Sequence, residues 1–537
     1  MRTYRLYIGG RDVEGSGYVH SLPAGFMLTD FLRAITLKRR LDRGTVVPGP
    51  DTPILARCDT ASPEQIEAAV QAAHAAAPGW ARFPLEHRLG LVSRFHDRLA
   101  ARTDEFIQLL TDEGHPRRMA VIEAAGILDA TTPAVVDFVR GQMTSEIATP
   151  DRRLLLVRKP DGVVGLNPPQ NAAATNSTVG IGVLAAGNSL VVRAPQSTPV
   201  GVQFLFRELI APILDELGAP PGTLNIITAP SPVTLRCWID SPLMNDIFYF
   251  GDSVRGMTLA RECMANGTKA ILELAGNDGI VVWRDTNPDY AASALCENFI
   301  GSGQVCFVPK FAIVHPAIAG DLIPRLLDQV RTIRPALPDD PSALLSPVMK
   351  SDRYFEVLAQ SVKAGATVLC GGYRCDLDGA RDEAGVFIAP TVLRIDGLAA
   401  AQEMEVVREE TFFPLLPVVV PDAGRDDDEL LGSVLEVLNT NRYGLRNSLW
   451  SRDERVIARF CSELNTGGLL KINDSHVSPA PPLPAHGGTG LSGGPFGEAN
   501  NPMLSTTHAQ GICIGRELDP RETIFGSLGS RILTNQI

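Results

Sequence analysis

Apolar residues in this chain follow two periods that alternate along most of its length. Short apolar runs at 163–166, 189–193, 224–228, 246–249 and 270–274 have the length and composition of buried strands. Between them, near 173–186, 199–217, 232–240 and 253–266, apolar positions recur at helical spacing. A second alternating series begins near Ile280 and runs to about Asn473. It includes a strand at 311–314, a helix near 317–331 and a strand at 415–420. Such alternation predicts βαβ units on parallel sheets, with ligands bound at the carboxyl ends of strands. The fold class is therefore α/β, with two tandem α/β domains.

Upstream, Ser62-Pro63-Glu64-Gln65 reads as a helix start, with Ser62 as N-cap and Gln65 as the return arm of a capping box. Ile66, Ala69, Val70 and Ala73 follow at helical spacing, and Pro78-Gly79 is expected to end the helix. Two amphipathic stretches come next, near 87–100 and 104–113. Residues 19 to 60 read as irregular. After Pro479 the chain is rich in Pro and Gly and reads as an arm.

Composition narrows the classes. At 537 residues the chain is too long for one core. It is 45% hydrophobic and 20% charged, as in a globular protein. A net charge of −12 argues against nucleic acid as a partner. No signal-like N-terminus or long apolar run suggests secretion or a membrane partner. Nine cysteines are scattered without a Cys-x-x-Cys pair, so neither a disulfide framework nor a metal site is expected. A reducing cytoplasm is the simplest compartment.

Three residues suggest chemistry. Cys306 ends Gly303-Gln304-Val305-Cys306, a Gly-flanked turn after a helical stretch at 292–299, where a thiol can be exposed and activated. A free cysteine is otherwise usually a small buried hydrophobe. Glu273 ends an apolar strand, where burial can raise its pKa and make it a general base; the alternative is a solvated strand end. Asn171 follows another buried strand and can donate to an oxyanion, or be an ordinary turn residue. Gly488-Thr489-Gly490-Leu491-Ser492-Gly493 matches a dinucleotide pattern but lacks the strand before it and the helix after it. Gly251-Asp252-Ser253 is better read as a helix cap than as an esterase serine block.

Taken in order, these residues resemble the aldehyde dehydrogenase superfamily over roughly residues 60 to 500. The family's Pro-Trp-Asn block is similar to Pro169-Gln170-Asn171, and its Glu-Leu-Gly-Gly block to Glu273-Leu274-Ala275-Gly276. Its Gly-Gln-x-Cys block is Gly303-Gln304-Val305-Cys306, and its Glu-Glu-x-Phe-Gly-Pro block is similar to residues 409–414. Asn439 with Tyr443-Gly444-Leu445, Gly468 with Asn473, and Gly487-Gly488 with Ser492-Gly493 complete the series. The resemblance implies an NAD(P) cofactor and an aldehyde substrate. Cys306 would be the nucleophile, with Asn171 and the Cys306 backbone N–H on the oxyanion and Glu273 activating water. Glu410 would hold the nicotinamide ribose, with Phe412 beside the ring. Pro169, Gln170 and Gly276 complete the cofactor set.

It also implies a Rossmann-like cofactor domain over 1–275 with an oligomerisation hairpin near 140–160. A catalytic domain would follow over 276–478, then a C-terminal oligomerisation arm and tail over 479–537. A homodimer or homotetramer is expected. The chain departs from the pattern in places. Lys-Pro-Ser-Glu of the family is similar to Arg193-Ala194-Pro195-Gln196, and Phe-Thr-Gly-Ser to Tyr249-Phe250-Gly251-Asp252. Gln196 removes a charge that would repel a 2′-phosphate, and Arg193 could bind one, so NADP is expected to be at least tolerated. Asp252 would face the pyrophosphate with like charge, unless Ser253 takes over. Two alternatives stand beside acid release: transfer of the acyl group to CoA, and a non-catalytic binding subunit.

Overall fold

The computed structural model describes residues 1–149, 152–483, 486–494 and 501–515. Within the predicted C-terminal arm and tail, 484–485, 495–500 and 516–537 lie outside the described residues.

The five expected apolar runs of the first series all form strands and join one parallel sheet. Their order in space is Lys269–Glu273, Asp246–Phe250, Val163–Asn167, Ser189–Ala194, Leu224–Thr228. The short strands Leu6–Ile8 and Arg11–Val13 extend the sheet antiparallel beyond Leu224–Thr228. Chain order reverses between Val163–Asn167 and Asp246–Phe250, which makes their carboxyl ends the crevice of a doubly wound sheet. Near-continuous burial of all five strands follows from helices on both faces.

The second sheet runs Thr367–Cys370, Thr391–Asp396, Leu415–Val420, Pro309–Val314, Asp278–Val282, Arg446–Trp450, Leu469–Ile472, parallel except at its first edge strand. Cys306 lies just before Pro309–Val314, and Asp278 and Arg446 open their strands. The carboxyl ends of the first sheet thus meet the amino ends of the second, and the candidate site lies where they meet.

Two local expectations need correction. The helix that starts at Ser62 has its capping box, with Ser62 and Gln65 bonded reciprocally, but it runs Pro63–Ala81 through Pro78. Pro78 falls in the last turn, where one lost backbone bond is cheap. Trp80 is fully buried beyond it and donates to the Leu184 carbonyl at 2.7 Å, which holds the turn in place. Residues 19 to 60 are not irregular. They hold the strand Gly17–Ser21, the helices Ala24–Thr29 and Phe31–Asp42, and the strand Ala56–Thr60. Asp30 caps the second helix by accepting from Arg33 N at 3.2 Å. Lys38 and Asp42 tie that helix to His20 on the neighbouring strand.

The strands Thr144–Ala148 and Arg152–Pro160 pair antiparallel, and Thr507–Gly515 adds a third strand. This ribbon leaves Ile147, Leu154, Leu156, Ile512 and Ile514 exposed.

Candidate active site

The turn that presents Cys306 adopts a conformation that most sequences resist. After the helix Pro288–Leu295 the chain tightens through Cys296–Gly303, and Gly301, Ser302 and Gly303 take φ of +59°, +57° and +69°. The continuous helix expected over 292–299 therefore changes character at Cys296. Ser302 is not a glycine, and its hydroxyl fixes the conformation: Oγ donates to Ser346 O at 2.5 Å and accepts from Ser346 N at 2.9 Å. Gly303 has no alternative, because a Cβ there would lie 2.1 Å from the Phe413 carbonyl oxygen.

Beneath the turn lies Lys310, a fully buried cation in the strand Pro309–Val314. Its ammonium donates to Gly303 O at 2.8 Å, Val305 O at 2.9 Å and Thr411 O at 3.0 Å. It also sits 5.2 Å from the centre of the Phe412 ring. All three N–H groups are engaged, so one side chain clamps the cysteine turn to the Glu410–Phe412 segment.

Glu273 reaches the cysteine from the first sheet. Cys306 Sγ donates to Glu273 Oε1 at 3.7 Å. The other carboxylate oxygen accepts from Gly487 N. Burial pushes the Glu273 carboxyl up to about 8, against the pull of the Gly487 N–H and the thiol. Burial, with Glu273, Glu410 and Asp278 nearby, likewise holds the Cys306 thiol well above its ordinary range. The close approach of the two segments depends on Gly276, where a Cβ would lie 2.2 Å from the Cys306 carbonyl oxygen.

Asn171 Nδ2 donates to Gln304 O at 2.9 Å, which places its amide against the same turn. Glu410 Oε1 accepts from Gly276 N at 3.0 Å, and burial raises its pKa. Cys306, Glu273, Asn171, Gly276, Glu410 and Phe412 therefore converge, although 241 residues separate Asn171 from Phe412 in sequence (412 − 171).

At the crevice the picture differs. Arg193 is buried and turned inward: Nε donates to Asn167 Oδ1 at 2.6 Å, Nη2 to Pro168 O at 2.8 Å and Nη1 to Ala229 O at 3.2 Å. Three protein oxygens satisfy it, so it braces the strand ends instead of offering the fork expected for a phosphate. Gln196 is half-buried at the rim. Asp252 is the N-cap of the helix Ser253–Ala265 and accepts from Arg255 N at 2.8 Å, which is the capping role read from the sequence. Ser253 donates to Leu491 O at 2.6 Å and so holds the 487–494 segment to the crevice. Pro169 and the exposed Gln170 lie at the end of Val163–Asn167, and Gly251 follows Asp246–Phe250.

An apolar cavity of about 310 Å³ opens beside the cysteine, between Val305 and Phe307 and the helices Arg117–Ala130 and Pro133–Met143. Two buried charged side chains on its wall keep an atom without a partner among the described residues: Arg446 Nε and Glu123 Oε1. Sequence reading missed Lys310, Arg446 and Asp278, and gave Gly487 a place in a block but no role. Lys310 carries a signal, since it is a cation inside an otherwise apolar strand. Nothing local marks Gly487 as a partner of Glu273.

The sequence model of the aldehyde dehydrogenase family matches residues 43–507. A 2-hydroxymuconic semialdehyde dehydrogenase of Pseudomonas sp. strain CF600 is 28% identical over 427 residues, covering 77% of this chain and 84% of that protein. An aldehyde dehydrogenase of Rhodospirillum rubrum is 28% identical over 481 residues, covering 86% and 89%. Among solved structures, lactaldehyde dehydrogenase from Escherichia coli has the same fold, with a TM-score of 0.76, 22% identity and coverage of 95% and 99%.

Proposed function

The chain belongs to the aldehyde dehydrogenase family, an NAD(P)-dependent oxidoreductase class acting on aldehydes, and from that premise we propose that it oxidises an aldehyde to a free carboxylic acid through Cys306. The observation that carries this reading is the 3.7 Å approach of Cys306 Sγ to Glu273 Oε1 inside a buried, strained turn.

In this reading Glu273 takes the thiol proton, and the thiolate adds to the aldehyde carbon. The carbonyl π pair moves onto oxygen, where the Asn171 amide and the Cys306 backbone N–H receive it. NAD(P), held at Glu410 and the crevice, would supply the hydride acceptor for that carbon, and Cys306 would then carry the acyl group as a thioester. Glu273, once it has released the thiol proton to solvent, takes a proton from water as the water oxygen attacks the acyl carbon, and the C–S bond breaks with its electron pair returning to sulfur, which is reprotonated for the next turnover. The sum is aldehyde, NAD(P)+ and water giving carboxylate, NAD(P)H and two protons. A carboxyl pushed up to about 8 by burial suits a group that must take and release protons near neutrality. Its presence also favours water over CoA as acyl acceptor, and the joint placement of Asn171, Glu273 and Cys306 favours catalysis over a binding-only role.

The residues of the crevice fit a nicotinamide dinucleotide in two places and oppose it in one. Glu410 keeps one carboxylate oxygen clear of the Gly276 bond, suited to a ribose hydroxyl. Gln196 sets no fixed charge against a 2′-phosphate, so tolerance of NADP rests on Gln196 alone once Arg193 is turned inward. Asp252, at a helix N-terminus otherwise suited to phosphate, places an anion near the pyrophosphate path and weakens NAD and NADP alike. The exposed apolar ribbon favours a homodimer or homotetramer. No described helix is long and apolar enough to cross a membrane by itself. The direct test is purified protein with NAD or NADP and aliphatic, aromatic and phosphorylated aldehydes, following reduced nicotinamide. No reduction with any pair would remove this reading.

A further inference from the structure

Arg446 stands apart from the other buried groups around the cysteine. It opens the strand Arg446–Trp450, is 4% exposed, and its guanidinium lies 5.0 Å from the centre of the Phe307 ring, one residue from the nucleophile. Nη1 donates to the His476 carbonyl. Nε has no acceptor, and among the described residues the guanidinium forms no ion pair. The nearest candidate, Asp278, is engaged elsewhere: Oδ1 accepts from the Arg446 backbone N–H at 3.1 Å, and Oδ2 lies 3.4 Å from His476 Nε2. With Asp278, Glu273 and Glu297 acting on it only from beyond ion-pair distance, the buried guanidinium keeps part of its desolvation penalty. An anion brought in by a ligand would offset it with charge-assisted hydrogen bonds.

The same side chain lines the apolar cavity that opens beside Cys306. The other charged group on that wall is Glu123, on the helix Arg117–Ala130. Its Oε2 is held by Thr175 at 2.8 Å and His115 at 3.1 Å, and its Oε1 remains free. An acidic ligand end is repelled there and attracted at Arg446. We propose that the cavity takes aldehydes bearing a second, anionic end — ω-oxo carboxylic acids with a short apolar chain — and that Arg446 binds the carboxylate. This rests on the aldehyde-oxidising reading above and adds the substrate class to it.

The test compares kcat/KM for ω-oxo acids of about four to eight carbons, a length suited to a cavity of this size, with alkanals of matching length. The wild type is expected to favour the ω-oxo acid by about 10²-fold at the best length, mostly through KM. Arg446→Met should lower kcat/KM for the ω-oxo acid at least about tenfold more than for the matching alkanal and so abolish that preference, and Arg446→Lys should restore part of it. Equal losses on both substrates, or a wild type that favours alkanals, would overturn the proposal. If Arg446→Met does not fold, the wild-type substrate pairs decide the matter alone. If no aldehyde of any class is oxidised, the aldehyde-oxidising reading fails separately. Calorimetry of the wild type with ω-hydroxy acids against the matching diols then reads the Arg446 contact without turnover. Tighter binding of the acids, lost in Arg446→Met, supports the proposal, and equal binding sinks it.

Discussion

The floor beneath Cys306 and the wall beside it each contain one buried cation, and the two are treated in opposite ways. Lys310 donates to three backbone carbonyls that belong to two different segments, and nothing of its charge is left to offer a ligand. Arg446 donates to one carbonyl and keeps Nε facing no acceptor. Equal burial therefore does not mean equal role. A fully engaged cation fixes backbone geometry, and one left partly unengaged in a cavity wall is available for recognition.

The comparison presupposes that Cys306 is the reacting centre. Cys306→Ala should lower aldehyde oxidation by about 10⁴-fold or more. The thermal midpoint should change little, because neither cation bonds through Sγ. Near-normal turnover in that variant would leave both cations without the chemistry assigned to them.

Glu273→Gln keeps the shape of the side chain and removes its capacity to take a proton. It should slow steady-state turnover by about 10²–10⁴-fold and leave a burst of reduced cofactor as the thioester accumulates. An unchanged steady-state rate would mean that another group activates water.

The two cations separate most sharply by mutation. Lys310→Met strands three buried carbonyls and should cost about 3–5 kcal/mol of folding free energy. It should also depress activity on every aldehyde alike, measured by thermal melts and by kcat/KM across a panel. Arg446→Met should be selective instead. A Lys310→Met protein as stable as wild type would end the distinction between floor and wall.

The acid groups supply a pH test. With Glu273 raised to about 8, the fraction able to accept a proton grows about tenfold per pH unit below that value, so kcat should rise with pH and flatten above about 8. The sign for stability is the reverse. The folded state holds a proton that the unfolded chain releases above its ordinary value of 4.5, so this group's contribution falls as pH climbs from 4.5 through about 8. Glu273→Gln should then melt higher than wild type on the alkaline side and not on the acidic side of that window. A pH-independent difference between the two melts would contradict the assignment.

The smallest effect is expected at the crevice rim. Gln196→Glu should weaken NADP several-fold more than NAD, since only NADP brings a 2′-phosphate to that carboxylate. Titration with both cofactors measures it. Equal losses would place Gln196 away from the ribose.

Much of this protein was legible in the order of its residues. The apolar runs of the first series fixed its five parallel strands, because a strand buried on both faces must be apolar throughout. The Ser62 capping box and the Asp252 cap were legible because their partners lie three residues away. The blocks around Asn171, Glu273, Cys306 and Glu410 pointed to one site through their resemblance to a family. The helices within 19–60 were missed, since their anchors, such as His20 with Lys38 and Asp42, come from a neighbouring strand.

What only the tertiary structure decided is where each charge points. Arg193 and Arg446 are both buried arginines of parallel strands. One meets Asn167, Pro168 and Ala229 and is satisfied; the other faces a cavity. Burial raises the pKa of Glu273, against a backbone N–H from Gly487, 214 residues away. Local sequence determines which backbone can form, through hydrogen bonds and apolar periods a few residues long. The desolvation and pairing of a buried charge depend on groups brought together by packing, and no local pattern encodes their distances.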